Sequence, residues 1–147
     1  MRTTLRLLFL VPVAFVLATF AAAGAMLWPF LAIPPGALGD PFVLFELGVG
    51  FTAQAAQIGS AAFVPFALFA LLAEILALRS LLAHLLVGAG AGFLSTRLAP
   101  VVPELSVQTA SVTAGLAFAL VYWILAGRTA GRLRHQPVST PPQPHPE

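Results

Sequence analysis

The chain contains no cysteine and no lysine, and among its 147 residues only 8% are charged. The missing cysteine excludes disulfides, thiolate metal sites and cysteine nucleophiles together. All seven basic residues are arginine, set against five acidic ones. With abundant alanine, leucine and proline, this is the composition expected of a high-GC bacterial genome. The high sequence pI reflects scarce carboxylates rather than a basic face, because long uncharged runs separate the arginines. A nucleic-acid partner is therefore not expected. His84, His135 and His145 are scattered without metal-ligand spacing, and no serine, histidine and aspartate lie together as a nucleophilic set. No catalytic, cofactor-binding or metal-binding residue is expected, and no enzymatic activity. Residues Gly48 to Ala53 match the letters of a dinucleotide fingerprint, but no strand, turn and helix unit surrounds them.

What is abundant is apolar sequence, at 59% hydrophobic residues. Four apolar stretches lie between Leu7 and Gly127, separated by short breaks marked by proline or charge. A span needs about 20 such residues, so the expectation is an all-α polytopic membrane protein built as a four-helix transmembrane bundle. The transmembrane domain covers residues 1–135, with spans near 7–31, 54–78, 81–98 and 106–127. The first stretch also reads as a secretory signal, with Arg2 and Arg6, an apolar core and the small residues Ala23, Gly24 and Ala25. Its apolar run continues through Met26, Leu27, Trp28 and Leu31, which favours an uncleaved span over a signal peptide removed after Ala25.

From Phe42 to Leu78 the sequence is nearly all apolar or small. A single helix of that length would reach about 55 Å against a hydrocarbon core of about 30 Å. The expectation is a kinked or extended second helix, with an interfacial or projecting section at 42–53 and a bend near Pro65. Tyr122 and Trp123 match an interfacial aromatic belt at the end of the last span. Residues 136–147 form a proline-rich tail with the composition of a disordered segment, and its P-x-x-P letters at 141–144 fit a solvated linker.

Arg2, Arg6, Arg79, Arg128, Arg132 and Arg134 fall on one side of a four-span arrangement, leaving Arg97 with Asp40 and Glu104 on the other. The positive-inside rule then puts both termini in the cytoplasm and the protein in a bacterial inner membrane. Arg128, Arg132 and Arg134 anchor the last span to anionic lipid at about 1 kcal/mol each.

The few polar residues divide into two sets. Gln57, Ser60, Glu74, Arg79 and His84 are candidates for a polar path or gate, since polar groups in spans are expensive and are functional candidates by default. Glu74, Arg79 and His84 gather at the turn between the second and third spans, where a salt bridge pinning the hairpin is the plainer role. Glu46, Gly50, Ala53, Gln57 and Ser60 follow helical spacing and form one small, polar stripe. That stripe fits helix packing or a wet path. Gly88 and Gly92 form a G-x-x-x-G pair, and Ser111, Gly115 and Ala119 repeat small residues every fourth position. Both are close-packing faces.

The functional reading is a small, non-enzymatic integral membrane protein, an accessory, assembly or interaction subunit. Its expected partners are the lipid bilayer and either another membrane protein or further copies of itself. The runner-up is an oligomeric small transporter or channel, and a holin-like protein ranks third. The chain is similar in length and span number to small multidrug resistance transporters. Those carry an essential glutamate in their first span, whereas Leu7 to Leu31 holds no charge.

Overall fold

The computed structural model describes residues 9–129. Arg2, Arg6, Arg132, Arg134, His135, His145 and the tail at 136–147 lie outside them. Among the described residues the chain is all-helical, with no strand.

Four α-helices follow one another: α1 (Val11–Leu27), α2 (Pro41–Ile75), α3 (Leu81–Arg97) and α4 (Leu105–Leu125). Their ends are written in the sequence. Pro12 sits in the first turn of α1, and the helix tightens into a 3-10 turn at Trp28–Phe30 before Pro34 and Pro35. Gly36 supplies the positive φ of 83° that the following loop requires. Asp40 caps α2, its Oδ1 accepting from the Phe42 N–H at 2.9 Å, and Pro41 fills the first helical position. α2 then runs unbroken through Pro65 for 35 residues, about 52 Å, so the expected sections 42–53 and 54–78 belong to one helix.

The turn after α2 is a Schellman motif. The Leu78 N–H donates to the Ala73 carbonyl at 2.8 Å, and the Ala77 N–H donates to Glu74 at 3.3 Å. Alanine rather than glycine occupies its left-handed position, Ala77 having a φ of 52°. Ser80 then caps α3 by accepting from the Ala83 N–H. Pro100 and Pro103 separate α3 from α4, where the Gln108 side chain donates to the Pro103 carbonyl at 2.8 Å.

α4 is the central helix, packed by α1 on one face and α3 on another, while α2 packs chiefly on α1. Neighbours run antiparallel, because partners ascending one helix descend the next. Each seam has its own small-residue chemistry. Between α3 and α4, a Cβ at Gly88 would strike the Gly115 carbonyl and lie 2.6 Å from the Ala119 Cβ. One at Gly92 would strike Ser111 and lie 3.0 Å from the Val112 Cα. The two predicted close-packing faces thus meet each other within the chain. α1 contributes Ala14, Ala18 and Ala22, all fully buried, one turn apart along the face towards α4.

Aromatic rings hold α2 to this core. Phe15 of α1 lies 4.6 Å from Phe66 and 5.7 Å from Phe118, centre to centre. Phe66 also meets Tyr122 edge to face at 4.8 Å. Further along the α1–α2 seam, Thr19 faces Gly59, and Phe20 pairs with Phe51. Before Phe51, α2 is mostly exposed. Helix α1 with its 3-10 turn, α2 and α4 are long and apolar enough to cross a membrane, and α3 is a shorter apolar helix of 17 residues.

Candidate functional site

The five residues expected to form a path or gate are divided between two places. Gln57 and Ser60 are exposed on α2. Glu74 and His84 instead line one cavity at the end of the bundle that carries Arg79 and Arg128. Arg79 is exposed in the adjoining turn, where its carbonyl accepts from the Trp123 indole N–H at 2.9 Å. Within one chain, these residues therefore do not line a common lumen.

The stripe follows directly from helix geometry. Glu46, Gly50, Ala53, Gln57 and Ser60 are all exposed. Ala55 and Gly59, on the face towards α1, each lie two positions from Gln57, hence about 200° around the helix. The stripe accordingly points directly away from the bundle. The Ser60 hydroxyl donates back to the Gln57 carbonyl at 2.9 Å and is satisfied within its own helix. The Gln57 side-chain amide makes no hydrogen bond among the described residues. Gly50 has open space where a Cβ would stand, so no described residue covers the stripe there. Thr109 and Thr113 of α4, by contrast, bond back to Leu105 and Thr109 and leave no hydroxyl unspent.

The cavity measures about 510 Å³. Its walls come from the start of α1 (Val11, Phe15), the second half of α2 (Phe63, Phe66, Glu74) and the end of α4 (Tyr122, Gly127), with His84 entering from the first turn of α3. His84 is 1% exposed and is the largest fully buried side chain among the described residues. Its Nδ1 lies 2.8 Å from the Ser80 carbonyl oxygen. A carbonyl oxygen only accepts, so Nδ1 carries the proton and Nε2 of the neutral ring is an acceptor. Phe69 lies edge-on to the imidazole at 5.1 Å, and Tyr122 lies at 6.1 Å. The Nε2 edge turns towards Gly127, where a Cβ would stand 3.0 Å from it. Nε2 itself is buried without a hydrogen-bond partner among the described residues.

Tyr122 differs from its expected place in an interfacial belt: it is 5% exposed, inside the ring cluster with Phe66. Trp123 and Arg128 occupy the outside of the same turn, the guanidinium 5.9 Å from the indole ring, with Arg128 Nε donating to Ile124. Gly127 was not legible as a site residue, because a glycine just beyond a helix normally signals only its end. No group of acidic or histidine residues suited to a metal ion occurs among the described residues. No protein-family model matches this chain, and the comparisons with curated proteins and solved structures likewise returned no match.

Proposed function

We propose that this protein is a non-enzymatic subunit of a bacterial inner membrane which docks a partner's helix against the outer stripe of α2. The observation that carries the reading is the Gln57 amide, exposed in the middle of an apolar helix, opposite the bundle and without a hydrogen bond. Lipid offers no hydrogen bonds, so a polar side chain within a span is stabilised by protein or by trapped water. Gly50 and Ala53 lie on the same line and would let a second backbone come close. On this reading all four helices cross the bilayer. Both chain ends then lie on the cytoplasmic side with Arg79 and Arg128, and the first turns of α2 project beyond the hydrocarbon core.

The alternative, a transporter or channel assembled from several copies, uses the same stripe as a pore lining. The two readings separate on purification from the native membrane in mild detergent followed by native mass spectrometry. A hetero-complex that is lost in Gln57→Leu supports the docking subunit. A homo-oligomer that survives Gln57→Leu but loses conductance supports the pore, and a monomer overturns both.

A further inference from the structure

Independently of the stripe, we infer that the cavity around His84 is a binding site for a neutral, lipid-soluble aromatic alcohol, a ligand of the phenol class. Four observations define this ligand. A buried polar atom left without a partner is costly and calls for an occupant or a compensating contact. Nε2 of His84 is such an atom. With the ring proton committed to the Ser80 carbonyl, Nε2 accepts, so the ligand donates an O–H or N–H. The remaining walls are apolar and rich in rings, Phe15, Phe63, Phe66 and Tyr122 among them, and they suit an aromatic body presented edge or face. At about 510 Å³ the space falls within the range of small-molecule sites, about 300–1,000 Å³.

Gly127 is buried and forms the wall against the Nε2 edge. Any side chain there would press on the Nε2 edge, at 3.0 Å from its first carbon, and would also meet Trp123. Glycine leaves the acceptor facing the cavity wall rather than another side chain. Nε2 has no accessible surface of its own, so binding through it requires the wall at Gly127 to yield.

The test uses the full chain in bicelles with isotope-labelled histidine, titrated with para-hexylphenol and separately with its methyl ether. The ether keeps the body and removes the O–H. The phenol is expected to saturate and to bind about 3- to 10-fold more tightly than the ether, the fold-change of one net hydrogen bond. The His84 Nε2 resonance should move while Nδ1 stays in place. His84→Phe should abolish the phenol's advantage and spare ether binding. Ala67→Trp places a ring at an exposed position on the cavity wall, and it should weaken saturable binding of both probes. Equal affinity of phenol and ether, uptake unchanged by Ala67→Trp, or an unmoved Nε2 resonance would each overturn the assignment.

Discussion

α4 and α2 are both long, apolar helices, yet the chain treats them differently. In the most apolar part of each, 22% of residues are buried in α4 and 6% in α2, although α2 is the more hydrophobic of the two. The contrast shows that hydrophobicity does not drive packing here. α4 is approached most closely where it is small: Ala110, Ala114 and Ala119 are buried, and Gly115 meets the α3 backbone, while Tyr122 is its one large buried side chain. α2 carries phenylalanine and leucine on most faces, and only Ala55 and Ala73 are buried. Where lipid is the solvent, association depends on close packing and hydrogen bonds rather than on escape from water. The exposed apolar side chains of α2 then need no protein cover. The exception is its polar stripe, which lipid solvates poorly.

The largest test of this contrast is Gly88→Val. The new side chain would collide with the Gly115 carbonyl, and the expected loss of stability is about 3 kcal/mol or more in a detergent-titrated unfolding experiment. Gly90→Val, two residues away on the same helix with open space around it, should change stability by less than about 0.5 kcal/mol. Similar losses from both would show that α3 does not depend on close contact with α4. Phe66→Ala comes next. It removes ring contacts to Phe15, Phe118 and Tyr122 and should cost about 2 kcal/mol, with α2 loosening from the core before α4 does. Hydrogen exchange of α2 against α4 would reveal that order, and uniform loss would contradict it.

Smaller still is Ala77→Gly. Relief of the left-handed alanine should raise stability by up to about 1 kcal/mol, and a decrease would mean that the turn is not strained. Gln57→Leu should leave the stability of the single chain within about 0.5 kcal/mol of the parent, because the side chain is exposed and makes no hydrogen bond among the described residues. Its effect should appear only in association, as a weakening of about 3-fold, the typical value of one interhelical hydrogen bond in a membrane.

Much of the architecture is legible in the sequence. Pro34, Pro35, Asp40, Pro41, Pro100 and Pro103 mark helix ends through rules that act over a few residues. The G-x-x-x-G pair and the repeat at Ser111, Gly115 and Ala119 stood out by spacing, although spacing left open whether they faced each other or another chain. The path residues were harder, because helical periodicity sorts residues within one helix and carries no information about how two helices are rotated relative to each other. Gln57 and His84 therefore read as one set, while the fold turns Gln57 outwards and His84 inwards. Tyr122 was obscured in a similar way. An aromatic residue near a helix end fits an interfacial belt, and its contacts with Phe66 and His84 across the bundle place it in the core.

The proposed docking role of α2 is tested most directly by site-specific photocrosslinking in the native membrane. One photoreactive residue would replace Ala53 on the stripe and, in a separate variant, Leu86 on the exposed side of α3. The account predicts a discrete protein adduct from position 53 that weakens in Gln57→Leu, and only lipid adducts from position 86. Lipid adducts alone from both positions would contradict it, making the stripe one more lipid-facing surface of the long helix.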